Sequence, residues 1–335
     1  MSPTPDGSGR WSEARQEVEE LLLGGERTLR RGDVAERAGV SLEQSARLWS
    51  ALGFPRVPDD VEAFSESDVE ALGLVDELLA QDAFDEAEAL AIARTLGQSM
   101  ARLAEWQANL LRRVVAERGA ADDPETVTDS VRTLVPLIEK LQAYTWRRHL
   151  LVTSGRMLSS LAGEQGDVDP SATTTVVGFA DVVGFTALSR QVDPDELRAL
   201  LERFEGVSTD VVARHGGRIV KTLGDEVLFV CPDVAQALEI AFALHDEVPD
   251  DSERLSLRIG LAHGEVLPRY GDVYGPTVNI ASRLTSHARP GTTLLDDGMT
   301  EAVRAADLNV EVRTVPPLHV RGYRHLKPHV VRRSG

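Results

Sequence analysis

The chain has 335 residues, 42% of them apolar, and a formal net charge of −18. Single cores rarely grow beyond roughly 250–300 residues, so two domains are expected, and so acidic a chain lacks the positive footprint of a generic nucleic-acid binder. The longest apolar runs, such as Thr174 to Val183, fall far short of the ~20 residues of a bilayer span.

The opening residues, MSPTPDGSGR, have no apolar core of the signal-peptide kind. The single cysteine, Cys231, permits no internal disulfide and reads as a small buried hydrophobe. Both features fit a cytoplasmic protein. Residues 1–10 read as a disordered tail. From Trp11 to Gly163 leucine and alanine recur at three-and-four spacing, which predicts an all-helical domain over 11–163. Within it, residues 33–54 have a helix-turn-helix pattern. Asp33 caps a short helix, Gly39 makes the turn, and Ser41 caps a second helix with Gln44 in capping-box register. That second helix offers only Arg47 as a cation and carries Glu43, so DNA binding is not expected. Further helices are predicted around Ser67–Leu79, Asp85–Ala116 and Val127–Ala162, the last interrupted or kinked at Pro136.

A polar stretch rich in small residues over 164–175 reads as a linker, and the texture then changes to a mixed α+β pattern over 176–335. TVVGFADVVGF predicts a strand. The next segment, from Asp193 to Gly216, predicts an amphipathic helix with Leu197, Leu200, Leu201, Phe204, Val207 and Val211 on one face. GRIVKTLGDEVLFVCP predicts a hairpin turning at Gly224-Asp225. A second helix, a long strand and a third helix, GPTVNIASRLTSHA, complete a β-α-β-β-α-β order. That is a ferredoxin-like core with extra elements after it.

Two carboxylates attract attention on this scaffold. Asp181 lies near the end of the first strand and Asp225 lies at the hairpin turn. If the first strand neighbours the hairpin, both carboxylates meet at one sheet end, where they and a backbone carbonyl suit a hard divalent cation. Gly184 lets the main chain approach phosphate and presents the N–H groups of Phe185 and Thr186 as an anion nest. Taken singly, each aspartate is better read as a loop cap or a turn former, since Gly-Asp turns are common.

The segments FADVVGFT, KTLGDE and GDVYGPTVNIASRL resemble the three signature segments of class III adenylate and guanylate cyclases, and the resemblance extends from Thr174 to about Gly322. It implies that Asp181 and Asp225, with the backbone carbonyl of Val182, bind two Mg²⁺ or Mn²⁺ ions. It implies that Lys221 and Asp272 read the purine. An ammonium donates to adenine N1 and a carboxylate accepts from the 6-amino group, so this pair suits ATP; guanylate cyclases in the family usually use Glu with Cys or Ser. Asn279 and Arg283, one helical turn apart, match the residues that orient the ribose and stabilise charge at the α-phosphate. Where many members have a VKGKG-like lysine for the terminal phosphates, this chain has LHVRGYRHLK, so Arg321 or Arg324 takes that place.

The resemblance implies conversion of ATP to cyclic AMP and pyrophosphate in a homodimer whose sites take metals from one subunit and base and ribose contacts from the other. A domain that binds nucleotide without turning it over is the alternative. The helical half resembles the regulatory domain of actinobacterial soluble cyclases, and a proton, lipid or small-molecule signal there is expected. His149 and His287 are the histidines placed for a proton signal.

Overall fold

The structure is a computed structural model that describes residues 7–80, 84–117, 123–161, 173–248, 256–320 and 323–334. Two compact units divide it, Met1–Ser159 and Ser160–Gly335.

The first unit is helical: α1 (Gly7–Leu23), α2 (Arg31–Arg37), α3 (Leu42–Ala51), α4 (Glu66–Ala80), α5 (Glu86–Glu117) and α6 (Pro124–Leu161). Helix α1 begins at Gly7, inside the stretch expected as tail. Helix α2 begins before Asp33 and not at it. Arg30 is the N-cap, and Asp33, in the first turn, accepts the Arg30 N–H at 2.8 Å. Ser41 caps α3 as expected, accepting from the Gln44 N–H at 3.1 Å, and Gly39 makes the turn at φ 72°. Leu29, Val34, Leu48, Phe64, Leu72 and Ala93 form the small core, with the Trp49 ring 4.9 Å from that of Phe64. Arg47 pairs with Glu86 on α5 at 2.7 Å, so the one cation of α3 is already engaged within the unit. Helix α6 runs through Pro136, and beyond it Leu137, Leu141, Tyr144 and Trp146 stand exposed.

The second unit contains β1 (Thr173–Val182), α7 (Phe185–Leu188), α8 (Pro194–Arg214), β2 (Arg218–Leu223), β3 (Glu226–Cys231), α9 (Val234–Glu247), β4 (Leu257–Arg269), β5 (Asp272–Tyr274), α10 (Pro276–His287), β6 (Thr292–Leu295), α11 (Asp297–Ala305), β7 (Val310–Thr314), β8 (Leu318–Val320), β9 (Tyr323–Leu326) and β10 (His329–Arg333). Strand β1 takes in Thr173–Thr175 of the expected linker, and positions 164–172 lie outside the described residues. The sheet runs β2-β3-β1-β4-β6-β10-β7, with β5 paired to β4. Strands β2-β3-β1-β4 are antiparallel throughout, the pairing that the β-α-β-β-α-β order predicts.

Strand β1 is buried from Thr175 to Val182, because the sheet is covered on both faces. Val176, Ala180 and Val182 join Phe204 and Val211 of α8 and Ile240 and Leu244 of α9 in the larger core. Val177 and Phe179 point the other way, towards Ala262, Val273 and Ala281 of α10. On α8, Phe204 and Val211 are buried as expected, whereas Leu197, Leu200 and Leu201 are only half-buried; Ser208 and Val212 complete the inner face. By the alternation of the strand, Asp181 belongs to the face that α10 covers.

Candidate active site

Asp181, next to last in β1, stands opposite Glu226 on β3 and Arg258 on β4. The Val182 N–H donates to the Asp225 carbonyl at 3.0 Å, which ties the end of β1 to the hairpin turn. Gly224, at φ 69°, lets that turn close without a Cβ in the left-handed region. Asp181 and Asp225 therefore share one sheet end. Asp181 is buried, and the Arg258 guanidinium donates from Nε to its carboxylate while reaching the Ser286 carbonyl at 3.4 Å. Burial, and then the charge of Asp181, push the Asp225 carboxyl above the ordinary range, with Arg258 opposing. Glu226 is raised in the same way by burial and by Asp181 and Asp225.

Three carboxylates thus share this sheet end with one guanidinium. Hard oxygen donors and an unbalanced negative charge fit a divalent cation. Two of them, Asp181 and Asp225, are the aspartates expected from the sequence. Among the described residues no group of three or more histidine, cysteine, aspartate or glutamate side chains is arranged around a single metal position. Sequence reasoning missed Arg258 and Glu226. Glu226 adjoins Asp225 in the chain and was discoverable there, but nothing local links Arg258 to a residue 77 positions away.

Beyond β1, Gly184 takes φ 78° and caps the short helix α7. The helical ladder opens with the N–H groups of Ala187 and Leu188, both donating to the Gly184 carbonyl at 3.0 Å. The N–H groups of Phe185 and Thr186 precede it, as first-turn donors do. The Phe185 ring packs against the larger core.

Lys221 on β2 and Asp272 at the start of β5 meet across the sheet face. The Lys221 ammonium donates to Asp272 Oδ2 at 2.6 Å, and Oδ1 accepts the Val273 N–H at 2.8 Å. Burial draws the Asp272 carboxyl upward, but the Lys221 and Val273 hydrogen bonds and the charges of Lys221 and Arg218 outweigh it and hold the group below its usual range.

Helix α10 begins with Gly275 as N-cap and Pro276 at its first position. Thr277, Ala281, Leu284 and Thr285 face the sheet, with Thr277 Oγ1 donating to the Glu265 carbonyl at 2.7 Å. The helix lies close because Gly260 of β4 has no side chain; a Cβ there would stand 2.5 Å from the Ala281 carbonyl oxygen. Asn279 and Arg283 are on the outer face, and both are exposed. Arg321 lies outside the described residues, and Arg324 is on β9, paired with β8.

The structure gathers these residues into separate groups. Asp272 precedes the N-terminus of α10, whereas Arg258 links Asp181 to Ser286 near its C-terminus. From Gly275 to Ser286 the helix rises about 16 Å. Within one chain, the Lys221–Asp272 pair and the aspartate pair flank opposite ends of α10.

The adenylate and guanylate cyclase catalytic domain family matches residues 168–333, and the adenylate cyclase regulatory domain family matches residues 15–149. An adenylate cyclase of Streptomyces coelicolor is 41% identical over 85% of this chain and 74% of its own length. An adenylate cyclase of Glutamicibacter nicotianae is 36% identical over 93% of this chain and 80% of its own. Among solved structures, an adenylyl cyclase from P. aeruginosa aligns with 50% of this chain and 98% of its own at 21% identity, with a TM-score of 0.46.

Proposed function

The chain belongs to the class III adenylate cyclase family, and from that premise we propose that it converts ATP to 3′,5′-cyclic AMP and pyrophosphate in a homodimer with two shared sites. The observation that carries the substrate assignment is the Lys221–Asp272 pair, an ammonium donor beside a carboxylate acceptor at 2.6 Å. Adenine offers N1 as an acceptor and its 6-amino group as a donor, so the pair complements it; guanine offers the reverse and leaves both groups unanswered.

Asp181, the Val182 carbonyl and Asp225 would hold two Mg²⁺ or Mn²⁺ ions, which when bound lower the pKa of the ribose 3′-hydroxyl and neutralise the polyphosphate. The chain's own groups set the geometry. Asn279 orients the ribose so that its 3′-oxygen faces the α-phosphorus in line with the pyrophosphate leaving group. Arg283, one turn along the same exposed face of α10, places a guanidinium where negative charge develops on the α-phosphate. The N–H groups of Phe185 and Thr186, freed by the turn at Gly184, and the guanidinium of Arg321 or Arg324 bind the phosphate chain.

The placement of the groups supports a shared site. The base-reading pair and the aspartates flank opposite ends of α10, about 16 Å of helix apart. That exceeds the reach from a purine edge to its own α-phosphate. A second copy in two-fold arrangement brings its aspartates to the first copy's Lys221, Asp272, Asn279 and Arg283, and the exchange is reciprocal.

Two inactive variants test both statements. Asp225→Ala removes a metal ligand and Asn279→Ala removes a ribose contact, so each alone should form no cyclic AMP from ATP with Mn²⁺. Mixed under conditions that exchange subunits, they should recover about a quarter of wild-type activity, because one of the two sites in a mixed dimer is intact. Mixtures that stay inactive while exchanging would rule out the shared site; wild-type protein that makes no cyclic AMP would rule out the cyclase.

The N-terminal unit is the regulatory partner of that reaction in this reading. Helix α6, which leads from it towards the catalytic unit in the chain, is the element through which a proton, lipid or small-molecule signal would act. No helix among the described residues is long and apolar enough to cross a membrane; in this reading the reaction takes place in the cytoplasm, where ATP is available.

A further inference from the structure

The hairpin that carries Asp272 has a second tether to β2. Arg218, the first residue of β2, donates from its guanidinium to the Gly271 carbonyl at 3.1 Å, one residue before Asp272. The hairpin is tight. Arg269 pairs with Asp272, and the two residues between them, Tyr270 and Gly271, have φ of 52° and 82°. Both lie in the left-handed region, as in a type I′ turn. A tyrosine there costs on the order of 1–2 kcal/mol relative to ordinary backbone, and two further contacts help the β4–β5 pairing to hold the turn. One is the Arg269 guanidinium over the Tyr270 ring, 5.0 Å from its centre. The other is Arg218.

Arg218 and Lys221 are three residues apart, a spacing that sends side chains of a regular strand to opposite faces. The β2–β3 register slips between Ile219 and Lys221. Arg218 stands opposite Val230, Ile219 opposite Phe229, and Lys221 opposite Leu228. Phe229 belongs to the α8–α9 core, whereas Leu228 and Val230 belong to the α10 side of the sheet. The bulge therefore returns Lys221 to the face that Arg218 occupies, a re-aiming that bulges commonly perform beside active sites. Both cations reach the same hairpin, one to its turn and one to its carboxylate.

We propose that Arg218 is a positioning residue for purine selection: by holding the Gly271 carbonyl it fixes the β4–β5 hairpin so that Asp272 stands opposite Lys221 at the adenine edge. The inference rests on the adenine-reading role given above to Lys221 and Asp272. The charge of Arg218 works in the same sense, since it helps to keep the Asp272 carboxylate an acceptor against the upward pull of burial.

The test uses the full chain with Arg218→Met and Arg218→Gln, and reads kcat and KM for ATP together with the inhibition constant of GTP as competitor. Loss of the tether should raise KM for ATP about 3- to 10-fold, the range of one lost hydrogen bond, with kcat within about twofold of wild type. The preference for ATP over GTP should fall by a similar factor in Arg218→Met and by less in Arg218→Gln, which keeps an N–H donor. A purely structural role would lower kcat and thermal stability and leave the preference untouched. A wild-type preference in both variants, or in whichever of them folds, overturns the proposal. Asp272→Asn run alongside separates the two levels. If it also leaves the preference unchanged, the adenine-reading assignment itself fails; if it abolishes the preference while the Arg218 variants do not, only the positioning role fails.

Discussion

Replacing Gly260 by alanine tests whether the fit of α10 on the sheet sets the site. Gly260 stands opposite Phe179 in the middle of the β1–β4 pairing. A Cβ there meets the Ala281 carbonyl oxygen and the Thr285 nitrogen at 2.5 Å and Thr285 Oγ1 at 2.6 Å, whereas ordinary contact begins at 3.4 Å. The helix must lift by about 0.9 Å, the difference between 3.4 and 2.5 Å. Two of the three opposing atoms are backbone, so no rotamer change relieves the clash. Overpacking of this kind costs ~1–3 kcal/mol, and at ~2–4 °C per kcal/mol for a unit of this size the catalytic transition should fall by about 2–12 °C. Asn279 and Arg283 ride on the outer face of the same helix, so a misplacement of ~1 Å should also cut kcat by about 10²-fold. Scanning calorimetry of the full chain and initial rates with ATP read both effects. Gly206→Ala is the control. That residue lies within α8 and an added Cβ meets nothing within 4 Å, so the change should stabilise by ~0.5–1 kcal/mol. A Gly260→Ala protein that melts with wild type and keeps its kcat would refute the view that this close approach positions α10.

Arg258→Gln should destabilise the catalytic unit by about 1.5–3 kcal/mol, the range for a hydrogen bond to a charged group, because it leaves the buried Asp181 carboxylate beside Asp225 and Glu226 without its guanidinium. Millimolar Mg²⁺ should raise the melting temperature of this variant more than that of wild type; equal shifts would mean that the cation and Arg258 answer different charges. Burial holds the His245 imidazole below its usual value of 6.5, with Asp246 opposing, and its Nε2 lies 3.0 Å from Thr293 Oγ1. A depressed folded-state pKa means that the unfolded chain takes up the proton first. The associated stability is complete above about pH 6.5 and is lost as pH falls towards the folded-state value. Urea midpoints at about pH 7 and pH 5.5 should therefore differ more for wild type than for His245→Gln, and parallel midpoints would assign the acid sensitivity elsewhere.

The elements of the catalytic unit were readable one by one because their signals are local. Asp193 and Asp233 sit at helix N-caps, Gly224 closes the hairpin, and apolar residues recur with the period of each element. Helix boundaries were less legible. The start of α2 moved from Asp33 to Arg31 because a first-turn aspartate can cap backward as well as forward, and sequence alone does not distinguish the two. The leucines at the start of α8 share the helical period of Phe204 and Val211 but are only half-buried, since periodicity gives the direction of a face and not how far the sheet extends beneath it.

By itself the sequence determined the β-α-β-β-α-β order, which allows β1 to adjoin the hairpin; the β1–β3 pairing then brings Asp181 and Asp225 to one sheet end. Strand order and turn position are consequences of local patterning and short connections. Only the tertiary structure decided which charges meet there. Arg258 reaches Asp181 through the β1–β4 register, and the β1–β3 register sets Glu226 opposite Asp181. A slip of one residue would send each of these side chains to the opposite face. The same holds for Lys221 and Asp272, the pair proposed to read the base. Lys221 and Asp272 are 51 residues apart, and they touch because a one-residue bulge in β2 re-aims the lysine while a two-residue turn sets the aspartate before it. Register and bulges are settled by packing across the whole sheet, and that is information no local stretch of the chain contains.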